Sequence, residues 1–117
     1  MVLNENDPSF YVDSGATSHM INDPGKLSQV IPYNGNDVIY VGNGNSLPIT
    51  YTGDTCVDTK DGKLKLKDVL VVPELKKNLL SVGKFTSDNY CSFEFTSSGF
   101  IIKDQKQRTI ARGTKRG

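Results

Sequence analysis

Asp13-Ser14-Gly15 closes the apolar run Phe10-Tyr11-Val12, and it is the place in this sequence where chemistry is most readily built. A strand that stops at an acid, a hydroxyl and a glycine presents a carboxylate at a tight turn. Ser14 can hydrogen-bond backbone there, and Gly15 lets N–H groups approach the carboxylate with no Cβ in the way. One carboxylate rarely activates water for amide hydrolysis unaided. Two of them about 3 Å apart cannot both ionise, so they share a proton. The charged member then takes a proton from water, and the protonated member donates to a carbonyl oxygen. The chain holds a single Asp-Ser-Gly, and the same three residues also make an ordinary turn, so a capping role stays open on this string alone.

The second candidate is the glycine-rich run Gly42-Asn43-Gly44-Asn45-Ser46, which sits between the apolar segments VIYV and LPIT. It reads as a hairpin tip, and a mobile tip over a cleft is a common way to cover a substrate. A phosphate cradle is disfavoured, because neither the following helix nor the lysine of a P-loop is present. His19, Cys56 and Cys91 have no ligand-like spacing, so no metal and no cofactor are expected. The two cysteines read as reduced, buried thiols.

These candidates must be positioned by a small fold. The 117 residues suit one domain, and a composition 36% hydrophobic and 23% charged suits a folded chain, not a disordered one. A net charge of +1 gives no global pull towards nucleic acid, and no apolar run is long enough to cross a membrane as a helix. Residues 1–8 read as a flexible leader and 18–36 as loop. VIYV and the segment from Leu47 to Asp58 make one hairpin, and Asp61-Gly62 turns a second. Leu64 and Leu66 alternate with Lys63, Lys65 and Lys67, the period of a half-buried strand with a solvated face. VLVV at 69–72 reads as buried on both faces. Residues 78–89 suit one short helix with Leu79, Leu80, Val82 and Phe85 inward. CSFEF and FIIKD form a further strand pair, and RTIARGTKRG is a basic tail, better suited to solvent than to RNA. The fold class is all-β.

Three segments together carry a resemblance: FYVDSGATSHM, VGNGNSLPI and DVLVVPELKKNLLSVGKF. In order and spacing, over residues 9–113, they resemble the aspartic protease region of copia-type LTR retrotransposon polyproteins, which is related to the retropepsins. The resemblance implies a retropepsin-like closed β-barrel half-enzyme with one short helix, forming a symmetric homodimer. It implies that Asp13 is the catalytic aspartate, with Ser14, Gly15 and Ala16 completing the active-site loop and Ser14 interlocking the two loops across the dimer. Gly42, Asn43, Gly44, Asn45 and Ser46 would form the flap, with Tyr51-Thr52-Gly53 as the other possible tip. Leu79, Leu80 and Ser81 resemble the element that braces the loop; Ser81 stands where retroviral members have glycine. Copia-type members also carry a histidine at the place of His19, expected to hydrogen-bond within the loop.

The activity implied is an aspartic endopeptidase that processes a Gag-Pol polyprotein in the cytoplasm, within virus-like particles, with itself and that polyprotein as partners and no membrane or nucleic acid. Residues 114–117 would be a tail or a cloning boundary, and Met1 an added start. The alternative is a catalytically silent, domesticated module used for dimerisation or peptide binding.

Overall fold

The computed structural model describes residues 2–4 and 7–114. In chain order the strands are β1 (Val2–Asn4), β2 (Asp7–Asp13), β3 (Met20–Ile21), β4 (Ser28–Pro32), β5 (Val38–Tyr40), β6 (Ser46–Pro48), β7 (Tyr51–Thr59), β8 (Gly62–Val71), β9 (Asn78–Ser81), β10 (Ser92–Phe95), β11 (Gly99–Lys103) and β12 (Thr109–Thr114). A 3₁₀ turn (Pro24–Lys26) precedes β4, and α1 (Val82–Asn89) follows β9. The fold is therefore mostly β with one short helix.

Local pattern explains the longest pair. In β8, Leu64 and Leu66 face the core while Lys63, Lys65 and Lys67 face solvent, and Lys60-Asp61 turns the chain so that Thr59 pairs with Gly62. The ladder slips once between Gly53 and Thr55, where Asp68 takes a left-handed φ of 53° and its N–H donates to Asp54 Oδ1 at 3.1 Å. That extra residue is a bulge. It changes which side chains face inward, so Val69 and Val71 continue the buried face.

Ten strands form one sheet in the order β10-β11-β12-β1-β2-β9-β3-β8-β7-β4, and β5 and β6 form a separate ribbon. Most neighbours are antiparallel, but β9 runs parallel to β2 and β3 runs parallel to β8. A sheet this wide curls. β12 folds back on the β7–β8 hairpin, where Thr59 Oγ1 donates to Ile110 O at 2.8 Å and Arg112 Nε lies 3.3 Å from Asp61 Oδ2. The enclosed core gathers Leu3, Phe10, Val12, Leu64, Leu66, Leu80, Phe85, Phe100 and Ile102.

Several expectations are corrected. The barrel is not closed: β10 and β4 are the two ends of the ladder and do not pair. Val2–Asn4 is not leader but a strand between β12 and β2, with Val2 and Leu3 each 1% exposed. The stretch 18–36 contains β3, the 3₁₀ turn and β4. Leu79 and Leu80 lie in β9, one strand short of the helix. Thr109–Thr114 is β12 and not tail, so the fold takes in residues on both sides of 9–113; residues 115–117 lie outside those described. Cys56 is exposed, since its place in β7 opposite Lys65 puts it on the outer face.

The corrected N-terminus can be tested. Replacing Leu3 with Ala should lower unfolding stability by about 2–5 kcal/mol, the range for a fully buried leucine. Urea midpoints of the two proteins measure it, and a change under about 0.5 kcal/mol would return these residues to a leader.

Candidate functional site

Asp13 is the last residue of β2, half-buried, and the turn behind it is tied to its own side chain: Gly15 N–H donates to Asp13 Oδ1 at 2.8 Å. A Cβ at position 15 would stand 3.3 Å from that oxygen, so glycine keeps the turn this tight. Ser14 and Gly15 are exposed, and Ala16 is half-buried.

The brace comes from β9. Its parallel register sets Leu79 beside Tyr11, Leu80 beside Val12 and Ser81 beside Asp13. Ser81 is fully buried and makes three side-chain or side-chain-directed bonds. Its hydroxyl donates to Ala16 O at 2.7 Å and accepts the Lys84 N–H at 3.2 Å, which caps α1. Its own N–H donates to His19 Nδ1 at 2.9 Å. The acid turn, the end of β9 and the start of the helix therefore share one residue.

His19 is 0% exposed, and its carbonyl accepts the Leu70 N–H at 2.9 Å. Since Nδ1 accepts, the proton of the neutral ring sits on Nε2, which has no hydrogen-bond partner among the described residues. Such a donor costs about 1–3 kcal/mol. Burial, with the nearby Lys84 ammonium adding to it and Asp88 partly opposing, lowers the His19 pKa from 6.5 to about 4.

The glycine-rich run forms the loop of the β5–β6 ribbon. Val41 N–H donates to Asn45 O at 3.0 Å, Gly44 N–H to Val41 O at 2.9 Å, and Asn45 N–H to Asn43 Oδ1 at 3.0 Å. Gly44 takes φ +84°, which a side chain would strain. The other possible tip, Tyr51-Thr52-Gly53, is the start of β7 inside the large sheet and no tip at all. Between this loop and the segment leading to β9 lies a cavity of about 430 Å³, lined by Val41, Gly42, Asn43, Asn45, Leu47, Leu75 and Leu79 with the charged side of Glu74, Lys76 and Lys77. Leu79 belongs to both the cavity and the brace. It stands two residues before Ser81, about 7 Å along the strand, so the cavity lies beside the acid turn without Asp13 lining it. A larger cavity, about 610 Å³, opens between β1, β12 and the β7–β8 turn and contains none of these residues.

Two asparagines escaped the sequence reading. Asn22 N–H donates to Asn78 Oδ1 at 3.0 Å, and Asn22 Nδ2 donates to Leu75 O at 3.0 Å, which fixes the cavity-lining segment to β3. The Lys77 ammonium sits 5.4 Å from the centre of the Tyr11 ring on the neighbouring strand. Among the described residues no three His, Cys, Asp or Glu side chains gather as a metal site, and burial pushes the Cys91 thiol up.

Residues 10–90 match the family model described as "Pol polyprotein, beta-barrel domain". The chain is similar to the retrovirus-related Pol polyprotein from transposon RE1 of Arabidopsis thaliana, with 41% identity over 96 residues. It is likewise similar to that from transposon RE2 of the same plant, with 39% identity over 99 residues. These matches take in 82% and 85% of the chain, but only 6% and 7% of the two polyproteins.

The buried imidazole makes stability depend on pH. Between pH 6.5 and about 4 the unfolded chain protonates His19 and the folded chain does not, so stability is full above 6.5 and falls as pH drops towards 4. The loss from this residue should be about 3 kcal/mol. Urea unfolding at pH 7 and pH 4 should show it, and the His19→Asn chain should show a fall smaller by about that amount.

Proposed function

The chain belongs to the family of Pol polyprotein beta-barrel domains, and from that retrotransposon origin we propose that it is an aspartic endopeptidase, active as a symmetric homodimer, that cuts the polyprotein in which such a domain is carried. The observation that carries this reading is the fixed aim of one acid. Asp13 ends a strand, is held by its own turn and is braced from the neighbouring parallel strand by Ser81. One acid turn per chain is half of a two-carboxylate site, and a two-fold axis through Asp13 would supply the other half from a second copy.

In that dimer the two Asp13 carboxylates share a proton. The charged one takes a proton from water as the water oxygen attacks the peptide carbonyl carbon. The protonated one donates to the carbonyl oxygen, and proton return to the leaving nitrogen breaks the C–N bond with no covalent enzyme intermediate. An extended substrate would lie between the acid turns and the β5–β6 ribbon. Val41, Leu47, Leu75 and Leu79 give one of its side chains an apolar recess, and the ribbon offers backbone for strand pairing. Ser14, exposed at the turn, would reach across the axis to the partner's turn. The work would take place in the cytoplasm, inside virus-like particles.

The test uses a polyprotein fragment that flanks this domain, over pH 4 to 7 and over a range of protein concentration. Cleavage should rise faster than linearly with enzyme and fall to the level of the buffer control in Asp13→Asn. Mixing equal amounts of the two chains, allowed to exchange, should leave about a quarter of the dimers with two acids, and activity should fall below half. A dimer without cleavage would favour the silent binding module instead. Cleavage that survives Asp13→Asn would remove Asp13 from the chemistry.

A further inference from the structure

His19 is the one histidine of the chain, and the reaction above gives it no task. Its placement is nonetheless specific. The loop from Asp13 to His19 is fastened to Ser81 at three points: Asp13 by strand register, Ala16 through its carbonyl, and His19 through Nδ1. The His19 carbonyl ties the same loop to Leu70 of β8. On the other side of the ring Nε2 has no partner among the described residues, so the imidazole is a costly side chain for a place that an apolar residue could fill. What histidine supplies there is an acceptor at Nδ1, and that acceptor holds the N–H of the residue opposite Asp13.

We propose that His19 is a positioning residue for Asp13, which fixes the end of β9 through the Ser81 N–H and so sets the direction of the acid turn. The inference rests on the reading of Asp13 as the catalytic acid. The charged groups that act on the ring are Lys84 and Asp88 of α1; Lys84 lies 3.1 Å from Asp88 and 3.7 Å from Asp68 on β8. From β9 the ring meets the neutral Ser81, and Asp13 of β2 lies on the far side of that serine. Protonation of Nδ1 would set two N–H groups against each other and open the clamp, which places its failure near pH 4.

The experiment compares the 117-residue chain with His19→Leu, which removes the acceptor, and His19→Asn, whose Oδ1 restores one near the place of Nδ1. Amide hydrogen exchange read by NMR reports the turn without any catalysis. In His19→Leu, protection at Gly15 and Ser81 should drop by about tenfold or more while Ile102 in β11 keeps its own, and His19→Asn should return both to within about threefold of wild type. In cleavage assays His19→Leu should lower kcat by about tenfold with KM within about twofold, and His19→Asn should regain most of kcat. Unchanged protection at Gly15 and Ser81 in His19→Leu would overturn the proposal, as would a kcat left intact. If His19→Leu does not fold, the wild type alone decides: below pH 4 the Ser81 protection factor, whose N–H is the one bonded to Nδ1, should fall relative to Ile102, and a level factor overturns the clamp. A wild-type chain without cleavage overturns the reading of Asp13 on which the inference rests, while the exchange still decides whether His19 holds the turn.

Discussion

Asp13 and Ser81 are 68 residues apart and stand side by side because β2 and β9 pair in parallel. A parallel pair brings the same ends of two strands together, so whatever follows each strand emerges at one place. After β2 comes the acid turn, and after β9 comes α1, whose first turn is capped by the Ser81 hydroxyl. That hydroxyl also reaches Ala16, so the helix start and the acid turn are tied through one side chain. A glycine at this position could keep the register but could supply neither bond.

What could be read from sequence follows from how local each signal is. The β8 alternation and the strand pair of β10 and β11 are encoded within a few residues of themselves, and the structure has both. The turn expected at Asp61-Gly62 falls one residue earlier, at Lys60-Asp61, and the glycine-tipped hairpin expected to run to Asp58 ends at Pro48, with Tyr51–Thr59 in the large sheet. β1, β3 and β12 are not encoded so locally. Val2-Leu3 and Met20-Ile21 are too short to show a period; β1 is held between its sequence neighbour β2 and the distant β12, and β3 between the distant β8 and β9. Leu79-Leu80 fits a helix or a strand equally well, and the β2 edge decides it. The same division holds at the site. The Asp13 turn is local and was legible; the His19–Ser81 bond spans 62 residues and was not. The one cue was a histidine set directly before the apolar Met20-Ile21, where a purely solvated side chain would be out of place.

Closure by packing alone leaves the curled sheet with two edges. β4 is defended as edge strands commonly are: its ladder with β7 is irregular between Ser28 and Ile31, Gln29 has a left-handed φ of 52°, and Pro32 removes a donor. β10 is shorter, and its Glu94 pairs with Lys103 across the strand pair at 3.1 Å. Neither edge is a smooth template for another strand. The proposed dimer would then join at the acid turns and not at the ends of the ladder.

That placement bears on where rigidity has to come from. In the dimer proposed above the second acid would arrive with a second molecule, and the pair would work only if both carboxylates already pointed to the same water. A two-fold axis guarantees that the two turns are equivalent, but it cannot correct a turn that points the wrong way, since any error in one copy is repeated in the other. The exposed Ser14 and Gly15 have few contacts of their own with which to hold a direction. For the proposed dimer the aim would have to be set beneath them, inside each copy and before association. The buried Ser81, fastened to both Ala16 and His19, lies directly under the turn where such a support is required.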